Sequence, residues 1–87
     1  MKEYMVYAKE ECPYCVKLLK HLKEQKISFV YIVFYDLDRN LKSIMERYRW
    51  RTVPLVVEMD YETKEEKFIG GCDDTIEYLK EVKKNDE

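Results

Sequence analysis

The chain contains the residues Cys12-Pro13-Tyr14-Cys15 at the point where a short apolar run ends and a helical pattern begins. Cysteines three positions apart can lie on one side of a first helical turn, close enough to form a small disulfide. Pro13 suits a helix start, because the N–H that proline lacks is one of the donors left unpaired there. The remaining unpaired N–H groups and the positive end of the helix dipole favour a thiolate on the first cysteine. The motif therefore predicts a redox site.

The residues on both sides of this motif predict a strand–helix–strand unit. Residues 4–8 form a short, mostly apolar strand, and residues 14 to about 25 have helical spacing, with Leu18 and Leu22 on the apolar side. Residues 29–34 are continuously apolar, which is typical of a strand covered on both faces of a sheet. We expect this second strand to be central.

The next part of the chain predicts a helix followed by a hairpin. Asp38 or Asn40 could cap the second helix. Pro54 then opens a third strand over residues 55–59, and a polar connection leads to a fourth strand over residues 66–69.

Gly70 and Gly71 interrupt the strand pattern before a last helix. Asp74 and Glu77 have the spacing of a capping box with the acid at the cap, so Asp74 is expected to cap this helix. The right-handed crossover of the first unit makes its two strands parallel. The order of elements thus predicts an α/β fold, with a four-stranded mixed sheet flanked by three helices.

A C-x-x-C motif that opens the helix of a βαβ unit is typical of thioredoxin-like redox proteins. Cys12, nearer to solvent, is expected to be the attacking thiolate, and Cys15, one turn into the helix, the resolving thiol. Two other roles stay open. The pair could be a disulfide that only links the chain, although so short a loop gives little entropic benefit. It could also bind a metal, for which only His21 and no second C-x-x-C are available.

The composition indicates one small soluble domain spanning residues 1–87, with 46% hydrophobic and 39% charged residues. The net charge of −2 favours neither nucleic acid nor a membrane surface as a partner. No secretory signal or membrane-length apolar run is present, so a reducing, cytoplasmic setting is expected. In that setting a close cysteine pair is more often catalytic or metal-binding than structural, and Cys72 is left over.

Three motifs, in this order and spacing, resemble the active site of the dithiol glutaredoxins: Cys12-Pro13-Tyr14-Cys15, Thr52-Val53-Pro54 and Gly70-Gly71-Cys72-Asp73-Asp74. The resemblance is to the small form of the family found in bacteria and large DNA phages, and it extends from Lys9 to the last helix. It implies a thioredoxin fold and a glutathione–disulfide oxidoreductase. We expect a monomer that holds no metal.

The resemblance also implies a glutathione site beside the cysteines. Pro54 would be a cis proline that leaves the Val53 backbone free to pair with an extended glutathione. The glycine pair permits close approach of a ligand, and the N–H groups that follow it form a seat for a carboxylate. The expected glutathione-binding residues are Lys9, Tyr14, Arg51, Thr52, Val53, Pro54, Gly71, Cys72, Asp73 and Asp74.

Some of these residues have simpler explanations. Lys9 could be an ordinary solvated lysine, Asp74 only a helix cap, and Cys72 a small semi-buried thiol. Trp50, close to the second motif, is expected to pack. Glu10 and Glu11 precede Cys12, at positions where the family commonly has small or uncharged residues. Since nearby negative charge disfavours a thiolate, Cys12 is expected to be less acidic than in typical relatives.

These features predict an enzyme that reduces protein disulfides and protein–glutathione mixed disulfides with reduced glutathione. Ribonucleotide reductase is a client suggested by the resemblance alone. One rival function is a thioredoxin-like reductase recharged by a flavoprotein, although Gly-Pro between the cysteines would be more usual there. Another is a module that binds an iron–sulfur cluster between two protomers, although relatives of that type tend to have a single cysteine followed by Gly-Phe-Ser.

Overall fold

The strands and helices follow the predicted order. The computed structural model of the chain describes residues 2–35 and 38–85. Its elements are β1 (Lys2–Lys9), α1 (Pro13–Glu24), β2 (Phe29–Phe34), α2 (Arg39–Tyr48), β3 (Leu55–Asp60), β4 (Glu65–Gly70) and α3 (Cys72–Asn85). The sheet has the order β2-β1-β3-β4, in which β1 is parallel to β2 and antiparallel to β3, and β3 is antiparallel to β4. The predicted α/β fold with a four-stranded mixed sheet is confirmed.

The centre of the sheet is formed by β1 and β3, and the prediction that β2 is central is wrong. β2 lies at an edge, where Val30 is 37% and Val33 47% exposed. In β3, by contrast, residues 55–58 are all buried. The error has a physical reason: a continuous apolar run reports how hydrophobic a strand is, not how many strands lie beside it. β1 pairs with β2 on one side and with β3 on the other, so β2 ends the sheet.

One face of the sheet carries the main core. Tyr4 and Val6 of β1 are buried there and pack with Leu18 and Leu22 of α1 and with Leu79 of α3. Leu18 and Leu22 are fully buried, and each such side chain contributes about 1.5–3 kcal/mol relative to an exposed one. Two helices therefore anchor this face.

The opposite face is covered by α2. Ile69 of β4 packs against the main core, so its neighbour Phe68 points to the other side. There Tyr48 of α2 stacks on Phe68 with ring centroids 5.3 Å apart, and Leu41 of α2 is buried. None of the helices in the described residues is long and apolar enough to cross a membrane.

The N-terminal caps of α2 and α3 can be compared with the predicted ones. Asp38, not Asn40, caps α2, because its Oδ1 accepts from the backbone N–H of Asn40 at 2.8 Å. The prediction that Asp74 stands at the N-cap position of α3 is wrong, since the helix already begins at Cys72. Asp74 lies in its first turn, and its Oδ2 accepts from the N–H of Gly71 at 3.1 Å. Glycine is well tolerated at a helix cap. Gly71 can therefore stand at the cap of α3, while Asp74, inside the helix, supplies the side-chain acceptor for its N–H.

A buried carboxylate connects β1, β3 and α3 on the main-core face. Glu58 is 5% exposed, and its Oε2 accepts from the Tyr4 hydroxyl at 2.7 Å. The Lys2 ammonium lies 3.6 Å from its Oε1. Burial and a hydrogen bond to Glu58 raise the pKa of Tyr78 to about 12. Because a buried charge is tolerated only when it is paired and hydrogen-bonded, this network holds the three elements together.

Candidate active site

Cys12 and Cys15 form a disulfide at the start of α1, with their Cα atoms 5.2 Å apart. Cys12 is the N-cap of the helix, and its Sγ accepts from the backbone N–H of Cys15 at 3.2 Å. Cys12 is partly exposed, whereas Cys15 is fully buried. A sulfur that must meet an incoming disulfide needs access, so the geometry makes Cys12 the reachable member of the pair.

The loop before β3 faces the disulfide. The peptide bond between Val53 and Pro54 is cis, as the resemblance implied. The carbonyl oxygen of Val53 lies 3.8 Å from the Sγ of Cys12. Pro54 is buried, Val53 is half-buried and Thr52 is exposed. The fold thus brings together two motifs that are about forty residues apart, with a backbone carbonyl beside the Cys12 sulfur.

The glycine pair joins the end of β4 to the start of α3 close to this loop. The β3–β4 register shifts between Val56 and Val57, just before Gly70, which has a φ of +131°. A Cβ added to Gly71 would lie 3.6 Å from the carbonyl oxygen of Pro54. The start of α3, with its backbone N–H groups, therefore packs next to the proline loop.

The two aspartates at the start of α3 have different surroundings. The Asp74 carboxylate accepts from the N–H of Gly71, as described above. Asp73 is exposed and pairs with the Lys17 ammonium of α1 at 3.5 Å. No sequence pattern connects Lys17 with Asp73, because only the packing of α1 against α3 brings together two residues that are far apart in the chain. Within the described residues Asp73 makes no hydrogen bond to the helix start, so a ligand that replaced its exposed Lys17 contact would leave the start of α3 unchanged.

Cys72 is a free thiol at the first position of α3 and is 4% exposed. Burial raises the pKa of the Cys72 thiol, the Lys17 ammonium lowers it in part, and the Asp73 carboxylate raises it. The thiol is therefore a poor nucleophile near neutral pH.

The remaining predicted residues are exposed or half-buried. Tyr14 is 60% exposed, beside the cysteines at the start of α1. Arg51 is exposed and lines a cavity with Trp50 and residues of α2, while Lys9 is half-buried at the end of β1 and lines a neighbouring cavity. Glu11 is exposed and has a φ of 53°, so a tight turn connects β1 to the cysteines.

Trp50 packs, as predicted. Its ring meets Phe68 edge-on with centroids 5.3 Å apart, and its Cζ2 would lie 3.5 Å from a Cβ at Gly71. Its Nε1 is buried and has no acceptor among the described residues. Trp50 thus fills the space between the proline loop, β4 and the start of α3.

A helix-capping dithiol that faces a cis-proline loop, on a mixed sheet of this order, is the arrangement typical of redox proteins with the thioredoxin fold. Residues 4–60 match the family model described as Glutaredoxin, which is more than half of the chain. The chain belongs to the glutaredoxin family. Among the curated proteins, none is similar enough in sequence to register as a match. In the described part of the chain, no group of three or more His, Cys, Asp or Glu residues could hold a metal ion.

Two solved structures show the same fold. A thioredoxin from Thermus thermophilus is 19% identical with a TM-score of 0.56, and the match covers 95% of this chain and 72% of that one. A thioredoxin-fold protein from Helicobacter pylori is 20% identical with a TM-score of 0.50. That match covers 78% of this chain and 56% of that one, so the chain spans little more than half of the H. pylori protein. At these identities the similarity concerns the fold alone.

Proposed function

We propose that this member of the glutaredoxin family is a dithiol enzyme that reduces protein disulfides and protein–glutathione mixed disulfides with glutathione. The observation that carries the proposal is the position of the Cys12 sulfur. It caps α1, is reachable from solvent, and lies 3.8 Å from the Val53 carbonyl oxygen. The unpaired N–H groups at the start of α1 stabilise a thiolate on Cys12.

With a protein disulfide, the Cys12 thiolate attacks one client sulfur and forms a mixed disulfide, while the other client sulfur leaves as a thiolate and takes up a proton. The Cys15 thiol then loses its proton and attacks Cys12, which releases the second client thiol. The product is the Cys12–Cys15 disulfide present in this structure. Two molecules of glutathione reduce this disulfide again and leave as oxidised glutathione.

With a glutathionylated protein, Cys12 alone is sufficient. The Cys12 thiolate attacks the glutathione sulfur, a disulfide forms between Cys12 and glutathione, and the client leaves as a thiol. A second glutathione thiolate attacks that disulfide, which yields oxidised glutathione and restores the Cys12 thiolate. Only a cleft that binds glutathione favours this route.

The residues around Cys12 suit the parts of glutathione. The Val53 backbone would pair with its cysteine, and the N–H groups at the start of α3 would bind the γ-glutamyl carboxylate. Asp73, rather than the capping Asp74, would face the amino group. Lys9 and Arg51 carry the opposite charge to the glycine carboxylate. Tyr14, Thr52 and Cys72 would line the cleft.

We further propose that the enzyme acts as a monomer in the cytoplasm, where close cysteine pairs are more often catalytic than structural. Ribonucleotide reductase is a client that the family resemblance suggests.

The test is an assay with a glutathionylated substrate, coupled to glutathione reductase, on the wild type and on Cys12→Ser and Cys15→Ser. We expect Cys12→Ser to be inactive. Cys15→Ser should keep deglutathionylation and lose reduction of protein disulfides. Activity in Cys12→Ser together with none in Cys15→Ser would reverse the assigned roles. Turnover with a thioredoxin reductase but not with glutathione would contradict glutathione dependence, and an iron–sulfur absorption band in anaerobically purified protein would indicate the cluster-binding rival.

A further inference from the structure

A groove runs along α2 next to the dithiol. Two cavities, of about 350 Å³ and about 600 Å³, share Lys42 and Met45 and therefore adjoin. The first also contains Lys9 at the end of β1, and the second contains Trp50 and Arg51. We refer to this surface, from Lys9 along α2 to Arg51, as the α2 groove. Its apolar side chains, Leu41, Met45 and Trp50, lie between charged ones.

Both ends of the α2 groove are close to Cys12. Lys9 precedes Cys12 by three residues, which can span at most about 11 Å. Arg51 precedes Val53 by two residues, and the Val53 carbonyl oxygen lies 3.8 Å from the Cys12 Sγ. When the sulfur of a client cysteine reaches Cys12, the client residues next to that cysteine can therefore bind along α2.

Four exposed cations of the groove have no partner among the described residues. Arg39, Lys42, Arg49 and Arg51 all line it and are exposed. Within residues 2–35 and 38–85, none of the four makes an ion pair or a side-chain hydrogen bond. Arg47, on the same helix, differs, since it pairs with Glu66 at 3.2 Å. The charges in the groove are thus available to a ligand.

Two carboxylates partly oppose these cations. Asp38 is already used as the cap of α2, where it accepts from the N–H of Asn40 at 2.8 Å. Glu46 is exposed and makes no ion pair among the described residues. The groove therefore carries an excess of positive charge on a chain whose net charge is −2. Charge of this kind, concentrated beside a reactive group, attracts acidic partners and speeds their association.

We propose that the α2 groove binds an acidic, extended segment of the client protein beside the client's reactive cysteine. This inference rests on the function proposed above and names a class of client for it. The ten residues of α2 extend over about 15 Å, which equals the length of about four to five residues in a strand. A polypeptide of that length can meet several cations at once and place an apolar side chain on Met45 and Trp50.

The experiment compares the rates at which three synthetic peptides lose glutathione. Each has one glutathionylated cysteine, flanked by glutamates, by uncharged residues or by lysines. The test variant is Lys42→Glu/Arg49→Glu, and neither of its residues belongs to the proposed glutathione site. The matched control is Lys23→Glu/Lys80→Glu, which changes the net charge equally but lies on α1 and α3, on the opposite face of the sheet. Circular dichroism verifies that all variants fold.

We expect the wild type to prefer the glutamate peptide. The α2 variant should lower kcat/KM for that peptide about tenfold, in the range of electrostatically steered association, while the control changes it little. Glu46→Lys should raise kcat/KM for the glutamate peptide. At roughly 1 M salt, where charges are screened beyond about 3 Å, these differences should nearly vanish.

The outcomes separate this inference from the proposed function. If the wild type turns over none of the peptides with glutathione, the proposed function itself fails. If all peptides react equally, or if both double variants lose the same activity, the α2 groove does not select clients. An equal loss for the uncharged peptide in the α2 variant would mean that the groove acts on glutathione and would also overturn the inference.

Discussion

Replacing Gly70 by alanine tests how the start of α3 is joined to the sheet. Gly70 has a φ of +131°, which residues with a Cβ rarely adopt. A Cβ at this position would lie 2.7 Å from Oδ2 and 2.9 Å from Cβ of Asp74. The Asp74 side chain must then move, and the hydrogen bond that it accepts from the Gly71 N–H is lost.

The expected magnitude follows from these contacts. Backbone strain of this kind costs about 1–3 kcal/mol, and a lost hydrogen bond costs about 1 kcal/mol. The lower entropy of the unfolded alanine variant offsets about 0.4–1 kcal/mol. Gly70→Ala should therefore lower the free energy of unfolding by about 2 kcal/mol, which for a domain of this size lowers Tm by roughly 8–16 °C.

The measurement is equilibrium unfolding of the oxidised protein in urea, followed by far-ultraviolet circular dichroism. Gly71→Ala is the matched control. A Cβ there would meet Trp50 Cζ2 at 3.5 Å and the Pro54 carbonyl oxygen at 3.6 Å, which are ordinary contacts. Its cost should stay at or below about 1 kcal/mol, from the preference for glycine over alanine at a helix cap. Equal stability of the two variants would refute this account of the junction.

Four further predictions concern titratable groups. The pKa of Tyr78 is raised to about 12 from an unfolded value of about 10. The contribution of Tyr78 to the free energy of unfolding is therefore complete below about pH 10 and is lost as the pH rises to about 12. Partial exposure limits it to about 1 kcal/mol. Tyr78→Phe should flatten this part of the stability profile, and an unchanged slope would contradict the assignment. Because burial raises the pKa of Cys72, iodoacetamide should modify Cys12 first in the reduced protein, and peptide mass spectrometry would show this order or its reverse. Lys17→Gln should slow modification of Cys72 further, since the Lys17 charge lowers that pKa; a faster reaction would argue against the contact. Finally, Glu11→Ser should increase the thiolate fraction of Cys12, and an unchanged rate of alkylation against pH would rule out the effect of that charge.

The sequence predicted the elements well, because hydrophobic periodicity and capping residues are local properties. The second strand was expected over residues 29–34, and β2 has these bounds. Asp74 was expected to be the cap of α3, but the helix begins two residues before it. The error arises because a carboxylate at the third helical position can also accept from a backbone N–H at the helix start. The fold class was confirmed, whereas the place of β2 within the sheet was not.

What the sequence determined by itself is the chemistry: two cysteines at a helix start, a proline loop, and a glycine pair before a last helix. These are local, because each depends on residues a few positions apart. The tertiary structure alone decided which residues meet: the Val53 carbonyl beside Cys12, Asp73 beside Lys17, and Lys9 in the same cavity as Lys42. Such contacts depend on how helices and strands pack, since side chains distant along the chain come together only when the sheet and helices assemble.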